Sequence, residues 1–232
     1  MKTNTAISRH HAGPPLLSLA VVHTLLFVIS VAALRLLAHP AAGSQVLNPY
    51  GPPEAARTFF AANPRALQVS AFFLFGSAVP LAIYAATVLS QLRFLGVRAA
   101  GTYIAFTGGL AASFGIAASG LCSWALSIPE ATTSAAMTRV LHFMTYLCGG
   151  PAFAAGFGLL AAGVSITSFF GRLLPRWLVW FGMLIAVAGE LSTLGLIWLP
   201  MTVAIPVTRF GGFVWLIAVG VALPKRLTEQ NS

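Results

Sequence analysis

Six long apolar stretches divide this chain, and the segments between them and at the two ends carry most of its charged residues. Each stretch is about as long as the roughly 20 residues that a helix needs to cross the hydrocarbon core of a bilayer. Because backbone N–H and C=O groups must be paired inside lipid, such segments are expected to be α-helices. The pattern therefore predicts an all-α polytopic membrane protein with six transmembrane helices in one bundle. The predicted spans are residues 16–37, 66–89, 101–128, 137–169, 177–199 and 206–223.

The one sizeable connection is residues 38–65, between the first and second spans. Pro53 and Glu54 resemble a helix start, with proline at the first position and an acid in the first turn. Asn63 and Pro64 would end that helix. We expect a short interfacial helix that lies on the outer leaflet or caps the bundle, and an ordered loop is the alternative. The remaining connections are short, so residues 1–232 are interpreted as a single domain.

Composition explains why lipid, and not water, is the expected surroundings. The chain is 58% hydrophobic and only 7% charged, with a mean hydropathy of +0.87. Its formal net charge of +9 arises from 13 Lys and Arg against 4 Asp and Glu. In a soluble protein this excess would suggest nucleic acid, but here the cations flank the spans. There they set topology and contact anionic headgroups, so membrane lipid is the expected partner and nucleic acid is not.

Charge asymmetry also predicts the orientation. The two tight connections hold Arg93, Arg98, Arg172 and Arg176, and cytoplasmic loops are the ones enriched in such residues. With an even number of spans, both termini are then cytoplasmic. The first apolar run is too long for a signal-peptide core, so we expect it to be retained as a span.

Ionisable residues inside a membrane are costly and therefore mark candidate sites. Arg139, His142 and Tyr146 fall on one face of the fourth span. His142 and Glu190 are predicted to lie about 7 and about 12 Å below the same outer edge, on consecutive antiparallel spans. A hydrogen bond between them, with Arg139 above, would suit a proton relay or a polar ligand site. The alternative is a polar pair that only fixes helix packing.

Two histidines in apolar helices also raise haem as an alternative. Axial ligands must lie close together in depth, and His23 and His142 are predicted to differ by about 12 Å in a core about 30 Å thick. No cofactor is therefore predicted, and His23 is expected to be a packed, hydrogen-bonded side chain. The sequence also lacks the paired histidine and carboxylate spacings of metal sites, so no metal is predicted.

Glycine is frequent in the third and fourth spans. Small residues allow close contact between helix backbones, which is the first interpretation. A broken helix at Gly149–Gly150–Pro151 is the second, because proline removes a backbone hydrogen bond.

The last third of the chain resembles a bacterial six-span family catalogued as domain of unknown function 4386. The residues that carry this resemblance are Leu174, Pro175, Arg176, Trp177, Leu178, Trp180, Gly182, Val214, Trp215, Leu216, Ile217 and Gly220, with Ala61–Pro64 before the second span. The resemblance implies a multi-pass protein of the bacterial cytoplasmic (inner) membrane with no assigned activity. Members carry an Arg and a Glu in the third span and a Glu six positions before the last tryptophan. This chain has no charge in its third span and has Arg209 at that last position, so no functional residue is carried over.

These observations favour a non-enzymatic function. We expect the bundle to bind or pass a small, mainly apolar molecule through a cavity near Arg139, His142 and Glu190, with Tyr146 on the same face. His23 and Arg209 are secondary candidates. Two alternatives stay open: an enzyme or haem protein acting on a lipid-like substrate, with His142 and Glu190 as acid and base, and an accessory subunit of a larger membrane complex. A membrane protein partner or a homo-oligomer would fit the last of these.

Overall fold

The computed structural model describes residues 8–39 and 48–228, and within them six helical spans are long and apolar enough to cross a membrane. The predicted all-α bundle of six spans is confirmed. The helices are α1 (Leu16–Leu37), α2 (Pro53–Ala62), α3 (Pro64–Phe94), α4 (Gly101–Ala125), α5 (Ala135–Leu147), α6 (Phe153–Gly171), α7 (Arg176–Leu191) and α8 (Ala204–Ala222). Helices α5 and α6 together form the fourth span, and α2 is the short helix between the first two spans.

The spans form a ring in chain order, because each packs on the next and α1 packs on α8. Large aromatic side chains fill the middle of this ring, with Tyr84, Phe157 and Trp215 fully buried. Their polar atoms are satisfied: the Tyr84 hydroxyl donates to the Leu216 carbonyl and Trp215 Nε1 donates to the Leu178 carbonyl, each over 3.2 Å. The two polar aromatic side chains at the centre of the ring are therefore both hydrogen-bonded.

Glycine sets the distance between α4 and α6. A Cβ atom added at Gly156 would lie 2.6 Å from the Ala112 nitrogen and 2.9 Å from the Gly108 oxygen. At Gly163 it would lie 2.5 Å from the Gly101 oxygen. These contacts are to backbone atoms, which cannot move aside as a flexible side chain can. The close-packing interpretation of these glycines therefore holds for the α4–α6 pair.

The fourth span also departs from α-helical geometry, in a π-helical segment at Cys148–Ala152. Pro151 inside it has no N–H to donate. The Phe153 N–H bonds to the Cys148 carbonyl, one residue further back than in an α-helix, where it would bond to Gly149. The Gly149 carbonyl thus loses its usual helical donor. The helix therefore continues through Gly149–Pro151 and is not broken there, since the fourth span is helical from Ala135 to Gly171. The close-packing interpretation applies to Gly149, which packs against Ser119.

The sixth span begins earlier than the sequence pattern predicts. A 3₁₀ turn at Leu199–Val203 leads directly into α8, and Pro200 and Pro206 both occupy first-turn positions, where proline is tolerated. A second 3₁₀ turn, Ser192–Leu196, follows α7. Arg209 consequently lies inside the span, about 8 Å from the first residue of α8 by helical rise.

Both described ends of the chain lie on one side of the bundle. Strand β1 (Ser8–His10) pairs antiparallel with β2 (Arg226–Thr228). We call this side the terminal face, and the side that carries α2 the opposite face. The orientation relative to the cytoplasm stays a prediction from the charge asymmetry.

His11 fastens the N-terminal segment to the terminal face. Its backbone N–H donates to the Lys225 carbonyl over 3.1 Å, and its Nε2 lies 3.0 Å from the Ser90 hydroxyl. The imidazole also packs against the Phe94 ring at 5.6 Å between centroids. Burial, and secondly the neighbouring His10, lower the pKa of His11 below its usual value.

We therefore expect the N-terminal segment to detach as the pH falls. A histidine whose pKa is lowered by folding stabilises the folded form above the unfolded pKa of about 6.5, and that stabilisation is lost as the pH falls through the folded pKa. Hydrogen exchange of the amides at 10–13, corrected for intrinsic rates, should show less protection at pH 5 than at pH 7.5. His11→Phe keeps an aromatic ring and should remove the pH dependence, whereas equal pH dependence in this variant would contradict the assignment.

Candidate functional site

A cavity of about 340 Å³ opens at the opposite face of the bundle. Five of the six spans and α2 contribute to it, and only α7 and the α6 half of span four do not. Its walls are mostly apolar with a small number of polar groups, the usual composition of a small-molecule pocket. The lining residues are Phe27, Ser30, Val31, Leu34, Arg35, Phe60, Leu67, Ser70, Leu74, Ser123, Leu126, His142, Thr145, Tyr146 and Arg209.

The described cavity lining contains two charged residues, Arg35 and Arg209, and Arg209 lies further from the end of its helix. Its guanidinium carbon lies 4.7 Å from the centre of the Phe27 ring and 4.6 Å from that of Phe153. One of its terminal nitrogens donates to the Gly149 carbonyl, the group that the π-helical segment has deprived of its usual donor. Three spans therefore hold this cation: α1 through Phe27, the fourth span through Gly149 and Phe153, and α8 itself.

The free energy of these contacts is sufficient to stabilise an arginine at this depth in the membrane. Placing arginine within a transmembrane helix costs about 3 kcal/mol on insertion scales. A desolvated cation–π contact contributes about 2 kcal/mol, and a hydrogen bond from a charged donor about 2 kcal/mol. The described residues offer Arg209 no carboxylate within 4.0 Å. Aromatic rings and a carbonyl thus hold the cation without neutralising its charge.

Helix α5 supplies the second set of polar groups, His142, Thr145 and Tyr146. The His142 imidazole is buried and packs edge-on against the Phe60 ring of α2, with 5.0 Å between centroids. The Tyr146 ring lies 5.9 Å from that of Tyr50, in the segment before α2. Phe60 is itself 3% exposed, so α2 closes one side of the cavity with a fixed aromatic side chain.

Serine hydroxyls complete the polar lining. The Ser30 hydroxyl donates to the Ser70 carbonyl over 2.8 Å and lies 3.1 Å from the Ser70 hydroxyl, which links α1 to α3. Ser123 on α4 is 8% exposed and lines the cavity, and no hydrogen bond joins its hydroxyl to another described residue. The Ser123 hydroxyl is therefore available to a bound molecule.

The structure brings some of the predicted site residues together and separates others. His142, Tyr146 and Arg209 line the cavity. Arg139 is not in the lining, and its guanidinium lies over the Phe143 ring at 5.7 Å. Glu190 is exposed on α7, with a carboxylate oxygen 3.4 Å from where a Cβ of Gly158 would be. Within the described part of the chain its carboxylate has no ion pair or hydrogen bond, so the expected bond to His142 is not formed.

The separation of Glu190 from His142 has a packing cause. The two halves of the fourth span share α4 as a neighbour but differ in the others: α5 also packs on α2, whereas α6 also packs on α7 and α8. The fourth and fifth spans were expected to pack against each other, and only the α6 half of the fourth span packs on α7 in this way. His142 is on the α5 side of the π-helical segment, and so it faces the first, second and third spans.

His23 lies deeper than the cavity and is fully buried. Its Nδ1 is 2.8 Å from the Ser77 carbonyl and must donate to it, and the ring packs edge-on against Phe213 at 5.5 Å. The other ring nitrogen, Nε2, has no hydrogen-bond partner among the described residues. His23 is thus packed, with one of its two nitrogens satisfied.

Sequence reasoning missed the serines and ranked Arg209 below Glu190. Ser30, Ser70 and Ser123 are not distinguished by their spacing in the sequence. Serine hydroxyls in membrane helices usually bond to the backbone of their own helix, so their presence alone does not indicate a site. Arg209 did carry a signal: it follows the first predicted residue of the last span, Pro206, by less than one turn. Because that span was predicted to start at residue 206, Arg209 was expected near the end of the helix and ranked as a secondary candidate.

Comparisons of this chain with protein-family models, with curated proteins and with solved structures find no match.

Proposed function

We propose that this protein is a multi-pass protein of the bacterial cytoplasmic membrane that binds a small amphipathic molecule in the cavity around Arg209, His142 and Tyr146. The observation that carries the proposal is the cavity itself, with apolar walls and a few converging polar groups. The charge asymmetry of the loops supports an opening toward the extracytoplasmic side.

Binding is favoured over passage through the bundle. Toward the terminal face the interior is filled by Tyr84, Phe157 and Trp215, each fully buried. Interiors packed in this way have no voids much larger than a water molecule. A ligand would therefore enter and leave from the same side.

The enzymatic alternative receives less support. It requires His142 and Glu190 as an acid and base within hydrogen-bond reach, and Glu190 is outside the cavity lining. The accessory-subunit alternative requires no ligand, so a binding measurement separates it from the present proposal.

The test is ligand-dependent stabilisation of the purified full chain in a non-ionic detergent. A molecule present at 100 times its Kd should raise the free energy of unfolding by about 2.7 kcal/mol. Octanol, octanoate, octyl phosphate and octylamine are suitable probes because each joins one polar group to one short apolar chain. At least one of them should stabilise the protein.

Ser123→Phe should abolish this stabilisation, because it places a large ring in the cavity. Glu190→Gln is the matched control: its carboxylate is outside the cavity, so the stabilisation should persist. The proposed function is wrong if none of the four probes stabilises the protein, or if Ser123→Phe is stabilised as strongly as the unmodified chain.

A further inference from the structure

We infer that the polar end of the ligand is an anion, a carboxylate or phosphate carried on one short apolar chain, and that Arg209 binds it. This inference rests on the proposed function and specifies the class of molecule. It is carried by the charges around the cavity, by the contacts of Arg209 and by the size of the space.

The cavity carries positive charge that no described residue balances. Arg209 and Arg35 both line it, and none of its described lining residues is acidic. The chain has only four acidic residues. Glu54 pairs with Arg57 over 2.7 Å, Glu130 is exposed in the turn after α4, and Glu190 lies against Gly158. The fourth, Glu229, lies outside the described residues.

The contacts of Arg209 leave hydrogen-bond donors for a ligand. A guanidinium has five N–H donors and no acceptor. The Phe27 and Phe153 rings contact the cation without accepting conventional hydrogen bonds, and the Gly149 carbonyl accepts from one of its nitrogens. The side chain is only partly buried, and it lines the cavity. Planar carboxylate and phosphate groups are the partners that match the fork of donors that remains.

A second donor lies in the same lining. Ser123 is more than nine-tenths buried, and its hydroxyl has no hydrogen-bond partner among the described residues. A hydroxyl can donate to an anion that an arginine also binds. Arg209 and Ser123 come from α8 and α4, so an anion bound by both would connect two spans on different sides of the cavity.

The volume of the cavity matches a ligand with a single short chain. At about 30 Å³ for each water-sized group, 340 Å³ corresponds to roughly 11 such groups. An eight-carbon carboxylate has about this many non-hydrogen atoms, whereas a phospholipid with two long chains greatly exceeds it. The apolar walls, which include Leu67 and Leu74 of α3, would then surround the chain.

Isothermal titration of the purified full chain at pH 8, in a non-ionic detergent, tests this inference. Octanoate or octyl phosphate should bind at least about tenfold more tightly than octanol, because an anion can form a bidentate, oppositely charged pair with the guanidinium and a neutral hydroxyl cannot. Octylamine should bind most weakly. Inorganic phosphate distinguishes an amphipathic anion from a free ion, and it should bind at least about tenfold more weakly than octyl phosphate.

Arg209→Gln should remove the preference for the anions, so that octanoate and octyl phosphate bind this variant no more tightly than octanol does. Arg209→Lys keeps the charge and should retain part of the preference, and Ser123→Ala should weaken anion binding more than octanol binding. The comparison of octanoate with octanol uses the unmodified chain, so it does not depend on whether any variant folds. Equal affinities there overturn the anion inference but leave the proposed function standing. If inorganic phosphate binds as tightly as octyl phosphate, the ligand is not an amphipathic molecule. If none of the probes binds, both proposals are wrong.

Discussion

Trp215→Ala is expected to lower the free energy of unfolding by about 4 kcal/mol, the usual size for deleting a fully buried tryptophan. Trp215 is 0% exposed, packs edge-on near Phe157 at 6.4 Å between centroids and donates to the Leu178 carbonyl. The substitution leaves a cavity between α6, α7 and α8 and an acceptor without its donor. Unfolding by titration with a denaturing detergent measures the change.

The matched control is Trp177→Ala. Trp177 is 63% exposed at the start of α7, so its loss should change stability by less than about 0.5 kcal/mol. Equal effects of the two substitutions would contradict the placement of Trp215 in the core.

Gly156→Ala is the second substitution with a large expected effect, a loss of about 3 kcal/mol. The added methyl group would lie 2.6 Å from the Ala112 nitrogen, so α4 and α6 must separate to accept it. The same helices support the π-helical segment that bonds to Arg209, and a Cβ at Gly115 of α4 would lie 2.8 Å from the Cys148 carbonyl. Ligand-dependent stabilisation should therefore weaken together with the fold.

Gly76→Ala on α3 is the control for replacing a helical glycine with alanine. A Cβ at Gly76 meets no other atom within 4 Å. Alanine is a better helix former than glycine, so this variant should be as stable as the unmodified chain or more stable by about 0.5–1 kcal/mol. If both glycine variants behave alike, close backbone packing does not explain the effect.

The fold could be predicted from the sequence because hydrocarbon imposes one rule along the whole chain. Apolar length and the need to pair every backbone group decide that the spans are helices, and this needs no knowledge of contacts. The first predicted span, residues 16–37, coincides with α1, and the others differ from the observed helices mainly at their ends. The beginning of the last span is an example: it was predicted at residue 206, whereas a 3₁₀ turn at Leu199–Val203 already leads directly into α8.

The candidate site could be predicted only in part, because it depends on which helix faces which. Sequence spacing placed His142 and Tyr146 on one face, and both do line the cavity. Depth alone suggested Glu190 as their partner. Depth does not reveal that the fourth span changes neighbours at Cys148–Ala152, so that its outer half faces away from α7.

Arg209 illustrates the same limit. Its type and position were visible, but its two aromatic neighbours come from residues far away in the sequence, Phe27 and Phe153. No local pattern predicts that the Gly149 carbonyl would be left for it to bind. The importance of this residue therefore became apparent only from tertiary packing.

The most direct test of a ligand site around Arg209 is an anomalous difference map from crystals of the protein grown with 8-bromooctanoate. The account predicts one bromine peak within the apolar part of the cavity, beside Leu67 and Leu74, and carboxylate density in hydrogen-bond contact with Arg209. Bromine density beside Glu190 on α7, or a cavity that stays empty at saturating ligand, would contradict it.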